Sequence, residues 1–260
     1  MPELRAVTAT VAALALAAPV LAGCGDTGKA TSGEGAGTLS VFAAASLTEP
    51  FTALARTFES THPGVKVRFN FAGSSTLARQ ITQGAPVDVF AAASPATMRP
   101  VVDAGRVPGG RTAVFARNRL VIAVPKDGPA RVRSLGDLAG PGLKVVLCAR
   151  QVPCGAAAVK SLDAAGVRVR PVSQEQDVKA VLTKVRMGEA DAGLVYRSDA
   201  GSAAAQVRGI EFPEAAKAIN DYPIAALSEA PQPRLAADFV RLVQSGQGRA
   251  ALTQAGFEAP

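Results

Sequence analysis

From Leu39 onward the chain alternates strand-like and helix-like segments, and that rhythm constrains the fold more than any other feature. LSVFAAAS (39–46) reads as a strand that runs out into small residues. LTEPFTALARTFEST follows, with Phe51, Leu54, Ala55 and Phe58 at helical spacing. VKVRFNFA (65–72) is the next strand, TLARQITQG the next helix, 87-VDVFAAAS-94 the next strand, and ATMRPVVDAG a short helix closed by Gly105. A long apolar run, 118-NRLVIAVPK-126, breaks the rhythm. It restarts with SLGDLAG as a short helix, LKVVLC as a strand, GAAAVKSLDAAG as a helix and VRVRPVS (167–173) as a strand. The helix QDVKAVLTKVRMGEA then carries Val178, Val181, Leu182 and Val185 on one face, and DAGLVYRSDA reads as a buried strand with its turn. 222-YPIAALS-228 mirrors the run at 118, and two helical segments, RLAADFVRLVQSG and GRAALTQAGF, end the chain.

Strands alternating with helices argue for parallel sheets with crossover helices. Two α/β lobes joined by two crossing strands account for the two interruptions. The first lobe is expected at 39–117 plus 223–260, because the terminal helices need a sheet to cover, and the second at 118–222. A single larger sheet is the alternative.

The first residues read differently. Ala6 to Leu21 is an apolar run with one proline, and it ends in 21-LAGC-24. Leucine, two small residues and a cysteine form a lipoprotein signal, so residues 1–23 are expected to be removed and Cys24 lipidated. The Gly/Ser/Thr-rich stretch after it, within 24–38, reads as a flexible tether. The expectation is an exported protein, lipid-anchored to the outer face of the cell membrane or periplasmic, whose one membrane attachment is that anchor.

The formal charge is +7 and is spread along the chain without a basic block; there is no Trp and there are two Tyr. A nucleic-acid binder shows a basic stripe with stacking aromatics, so no nucleic-acid partner is expected. A mild positive field instead draws in a small anion. Cys148 and Cys154 remain after Cys24, and the lone histidine, His62, sits in the turn-like THPG, so no zinc site is complete. In an exported protein a Cys148–Cys154 disulfide is the expected use, closing a short loop and contributing about 2 kcal/mol. A free buried pair is the alternative.

Four strand-to-helix junctions carry the candidate chemistry. In 43-AAASLTEPF-51, Ser46 stands three residues before Glu49, the spacing of a capping box. The others are 72-AGSSTLARQ-80, 151-QVPCGAAAVK-160, where Pro153 precedes Cys154 and Gly155, and 173-SQEQDVKAVL-182. Such junctions lie at the carboxyl edge of the sheet, where ligands bind. If two lobes face each other, four helix N-termini converge, each offering N–H donors and a partial positive charge. Taken singly, Ser46 reads as a helix cap and Tyr196 as a packed strand residue.

FAAASLTEPF, FAGSSTLARQI, GAPVDVFAAAS, QVPCG, QDVKAVL and AGLVYRSDA resemble, in order, the motifs of periplasmic molybdate-binding proteins of ABC importers. The likeness covers nearly all of 39–260. It implies an α/β fold of two Rossmann-like lobes joined by two crossing hinge strands, the type II periplasmic binding protein architecture. It implies molybdate or tungstate in the interlobe cleft, no cofactor, and no direct ligand to a metal ion. The contacts it implies are the hydroxyls of Ser46, Ser74 and Tyr196 and the backbone N–H groups of Cys154 and Val178. Cys154 departs from the small residue expected in V-P-x-G, but an N–H donor does not depend on its side chain, and a bridge to Cys148 turns the sulfur away. The implied partners are an ABC permease and its ATPase, served by a monomer.

Other readings compete. The ligand can be another tetrahedral oxyanion such as sulfate or thiosulfate. An exported enzyme could use the same pocket as an oxyanion site, but no base is found for Ser46 or Ser74. Asp88 and Asp191 read as structural acids rather than a catalytic pair. A sensor domain of a transcription regulator shares the architecture but not the lipoprotein leader.

Overall fold

The computed structural model describes residues 37–128 and 132–260. The leader 1–23, Cys24 and the tether as far as residue 36 lie outside the described residues. Gly37 and Thr38, expected in the tether, already pair with Val65 and Lys66, because the parallel ladder with the next strand starts there.

The first half of the chain runs β1 (Gly37–Ala44), α1 (Thr48–Thr61), β2 (Val65–Ala72), α2 (Ser74–Thr82), β3 (Val89–Ala91), α3 (Pro95–Asp103) and β4 (Ala113–Asn118). After Arg119 come β5 (Leu120–Pro125), β6 (Val145–Cys148), α4 (Pro153–Ala165), β7 (Ser173–Glu175), α5 (Val178–Arg186), β8 (Ala192–Tyr196), α6 (Arg197–Ser202) and β9 (Val207–Ile210). The chain ends with β10 (Asn220–Ala226), α7 (Pro233–Gln244) and α8 (Gly246–Gln254). Two five-stranded sheets result, in the orders β2-β1-β3-β10-β4 and β7-β6-β8-β5-β9.

Both sheets are mixed rather than parallel throughout. β1 runs parallel to β2 and β3, and β6 to β7 and β8, as crossover helices require. β10 is antiparallel to β3 and β4, and β5 to β8 and β9. The reason is connectivity. β4 leaves the first sheet at its carboxyl edge, and one residue later β5 enters the second sheet from the same edge. β10 returns to the first sheet the same way. The run at 118–126 is therefore two strands broken at Arg119, with Asn118 in the first sheet. Tyr222 lies inside β10 and belongs to the first sheet too, paired with Ala116.

The expected strand VRVRPVS is displaced. Residues 167–172 are irregular and the strand is Ser173–Glu175. Pro171 has no N–H to give a ladder, so pairing with β6 starts beyond it, from Val146 opposite Ser173.

The apolar periodicity places the cores. Along β3 and the residue after it, Val89 and Ala91 join the cluster of Phe51, Phe58 and Phe239, while Phe90 and Ala92 join that of Leu77, Ile81 and Met98 on the other side. In the second lobe Val178, Val181, Leu182 and Val185 of α5 join β5, β6 and β8 in one continuous core. Asp88 is buried and accepts from the N–H groups of Ser40 (2.7 Å) and Gln232 (2.6 Å), and Asp191 accepts from Lys144 N (2.8 Å). Both acids are structural.

Candidate functional site

The carboxyl edges of the two sheets meet, and each strand-to-helix junction delivers one group. After β1 a short 3-10 turn, Ala45–Leu47, delays α1 to Thr48. That turn moves Ser46 out of the capping position. The capping box expected from Ser46 and Glu49 does not form; the α1 N-cap is Leu47, with no side-chain bond. Ser46 Oγ instead lies 2.9 Å from Tyr222 Oη, both buried. After β2 the cap position is Gly73, and Ser74 opens α2. Ser74 Oγ accepts the Ala93 N–H at 3.0 Å, which ties the helix start to the end of β3.

In the second lobe Cys148 ends β6 and is bridged to Cys154. Pro153 occupies the first turn of α4, where its missing N–H costs nothing. Gly155 permits the tight return: a Cβ there would lie 1.9 Å from the Ala149 carbonyl oxygen. α5 starts at Val178, capped by Asp177, whose Oδ1 accepts from Ala180 N at 2.9 Å. Cys154 and Val178 thus sit in first helical turns, where backbone N–H groups have no partner within the helix. Tyr196 is the last residue of β8, almost wholly buried, and its Oη has no hydrogen-bond partner.

These residues line one cavity of about 20 Å³, together with Ala44, Ala45, Ala72, Ala93, Val152 and Pro153. A single water needs about 10–15 Å³, so the space suits one small ion. All five residues singled out in the sequence share it: Ser46, Ser74, Cys154, Val178 and Tyr196. The wall carries no arginine or lysine; its one ionisable acid, Asp177, is engaged in the α5 cap. Burial pushes the Tyr196 phenol well above its ordinary range, with Tyr222 and Asp199 adding to the shift, so the hydroxyl stays protonated and able to donate. Among the described residues no group of three or more His, Cys, Asp or Glu is placed to hold a metal ion.

The two lobes touch around this cavity. Ser75 Oγ donates to the Gln151 carbonyl at 2.6 Å. Lys179 Nζ of α5 donates to Glu49 Oε1 of α1 at 2.7 Å and lies 3.2 Å from Asp199 Oδ1. Burial pushes Asp199 up to about 6, against the pull of Lys179. Gly73 faces Gln176 of the other lobe so closely that a Cβ would lie 2.1 Å from its carbonyl oxygen. The sequence reading missed Gly73, Asp177, Tyr222 and the Glu49–Lys179–Asp199 chain. Asp177 was legible as an N-cap residue just before an apolar helical pattern; the others depend on contacts remote in sequence.

Two α/β lobes that meet over a small cavity lined by hydroxyls and helix starts have the architecture of a two-lobed solute-binding protein. Residues 39–258 match the family of bacterial extracellular solute-binding proteins, and the chain belongs to that family. It is 47% identical over 255 residues to the molybdate-binding protein ModA of Mycobacterium tuberculosis strain H37Rv, covering 97% of each chain. It is 33% identical over 200 residues to ModA of Escherichia coli K12, covering 74% of this chain and 77% of that one. Among solved structures, the periplasmic molybdate-binding protein of Azotobacter vinelandii superimposes with a TM-score of 0.75 at 23% identity, covering 85% of this chain and 99% of that one.

Proposed function

We propose that the protein captures molybdate, and tungstate with it, in the interlobe cavity and delivers it to an ABC permease driven by its ATPase. The contacts in this reading are the hydroxyls of Ser46, Ser74 and Tyr196 and the N–H groups of Cys154 and Val178. The observation that carries it is Tyr196 Oη, a buried hydroxyl with no partner in a cavity that it shares with two serines and two helix starts. Identity to molybdate-binding relatives along almost the whole chain supports the choice of ion. Energetically the set suffices. Each hydrogen bond to a charged group contributes about 1.5–3 kcal/mol, each helix terminus about 0.3–1 kcal/mol, and micromolar binding needs about 8 kcal/mol.

In the same reading residues 1–23 are a leader, Cys24 carries the lipid, the segment up to residue 36 is the tether, and the protein acts as a monomer held at the outer face of the cell membrane. Among the described residues no helix is long and apolar enough to cross a membrane. The hinges of this reading are Arg119 and the segment 211–219 between β9 and β10.

A melting-temperature screen against molybdate, tungstate, sulfate and phosphate tests the ligand, because a bound ion stabilises the folded state by mass action, about 2.7 kcal/mol at a hundred times Kd. Molybdate and tungstate are expected to raise the melting temperature at micromolar concentration. A shift with sulfate alone would overturn the choice of ion.

A further inference from the structure

A serine hydroxyl both donates and accepts, and an acceptor lone pair aimed at a dianion is repulsive. Capture by Ser46 and Ser74 therefore requires each hydroxyl to be held in the donating sense. For Ser74 the Ala93 N–H does this at 3.0 Å, since an N–H can only donate. For Ser46 the neighbour is another hydroxyl, Tyr222 Oη at 2.9 Å, and only one of the two protons can lie between the oxygens. Tyr222 stands behind Ser46, outside the cavity wall, fully buried on β10. Its ring is fixed by edge-on contacts with Phe257 (5.3 Å), Tyr196 (6.0 Å, tilted at 70°) and Phe115 (6.3 Å). Tyr196 and Asn118 also neighbour the Tyr222 hydroxyl, and of the possible arrangements the one with the Tyr222 proton on Ser46 Oγ leaves the Ser46 proton free for the cavity. Asn118, close by, turns its donor Nδ2 to Ser198 and its Oδ1 to Arg119 N.

We propose that Tyr222 is a positioning residue for oxyanion capture: its hydroxyl donates to Ser46 Oγ, occupies the serine's acceptor side and leaves the Ser46 proton for the ligand. The inference rests on the capture reading given above. Burial keeps the Tyr222 phenol protonated and so able to donate. The consequence is selectivity. An oxyanion that still carries a proton, such as hydrogen phosphate, needs an acceptor, and with Tyr222 and Ala93 each occupying one lone pair and the serine protons turned to the ligand, the two serines are poor ones.

Calorimetric titration with molybdate tests this on the wild type, Ser46→Ala, Tyr222→Phe and the double variant. Ser46→Ala is expected to weaken binding about 10- to 100-fold, and Tyr222→Phe about 3- to 10-fold, the loss of one polarising bond in a chain. In the Ser46→Ala background Tyr222→Phe is expected to change affinity less than about twofold, because the two act as one unit. Titration with phosphate should show the preference for molybdate narrowing in Tyr222→Phe, a readout that mere loosening of the core does not move. A Tyr222→Phe protein that binds molybdate within about twofold of wild type, or that loses as much in both backgrounds, overturns the role. Incorporation of 3-fluorotyrosine at position 222 keeps the ring and strengthens the donor, so it tests the role even if Tyr222→Phe folds poorly. It should bind at least as tightly as wild type, and weaker binding would count against donation. A wild type that ignores molybdate overturns the capture reading and this role with it; normal wild-type binding with a silent Tyr222→Phe overturns this role alone.

Discussion

Tyr196 and Ser74 both place a hydroxyl in the cavity, yet their removal should have opposite effects on the ligand-free protein. Tyr196 Oη is buried without a partner, and such a group costs about 1–3 kcal/mol. Tyr196→Phe deletes that cost together with one ligand contact. The expected outcome is a higher melting temperature without ligand and binding weaker by about 1.5–3 kcal/mol. Ser74 Oγ already accepts from Ala93 N, so Ser74→Ala leaves a buried N–H unsatisfied and should lower stability by about 1–3 kcal/mol as well as affinity. Parallel thermal melts and titrations on the two variants separate the cases; equal stability losses would mean that Tyr196 Oη is not an orphan. The contrast is invisible in the sequence. Both residues were found through motifs that place them at junctions, but the bond from Ala93 spans 19 positions and the absence of one at Tyr196 has no sequence signature.

Three helices meet in the chain Glu49 (α1), Lys179 (α5) and Asp199 (α6), and its middle member is a cation set beside a fully buried acid. Asp199 titrates at about 6 in the fold, raised from 3.8 by burial, with Lys179 pulling it down and Glu49 pushing it up. Tyr196 N also donates to its Oδ2, at 3.3 Å. An acid with a raised folded value binds more protons folded than unfolded, so its contribution favours the fold at low pH and is lost as pH rises through 4 to 6. The magnitude is on the order of 2–3 kcal/mol. Glu59, Asp137 and Glu175 work the other way: hydrogen bonds hold them low, and what they add is lost as pH falls. Those groups are common to wild type and Asp199→Asn. The difference between the two in urea unfolding should therefore shift in favour of Asp199→Asn between pH 4 and pH 7, and a pH-independent difference would overturn the assignment. Elements such as α1 and α5 were legible because one face of each must be apolar at helical spacing. β7 was misplaced because Val167 and Val169 alternate like a strand while packing as loop residues against the core. The β4–β5 break was missed because crossing between sheets at Arg119 leaves the apolar run of β5 unchanged. The Glu49–Lys179 pair, 130 positions apart, had no local signal at all.

At the scale of the whole molecule, capture requires two lobes to close on an ion, and the contact that most depends on closure is a glycine. Gly73 has φ −60° and ψ 129°, a conformation open to any residue, so alanine there strains nothing within its own lobe. The obstacle comes from the other lobe: a Cβ would lie 2.1 Å from the Gln176 carbonyl oxygen, inside any tolerated contact. Gly73→Ala should thus leave each lobe intact while raising the energy of the closed arrangement, in which the two lobes bring Gly73 against Gln176. A ligand shifts an equilibrium only by its differential affinity for the two forms, so part of the molybdate binding energy would go into relieving the clash and affinity should fall by about tenfold or more. Small-angle scattering gives the second reading. The wild type is expected to contract on addition of molybdate, whereas Gly73→Ala should contract less at the same ion concentration. Full contraction with wild-type affinity would mean that Gly73 and Gln176 do not meet in the liganded protein, and the five donors would then have to converge by a motion other than the approach of these two lobes.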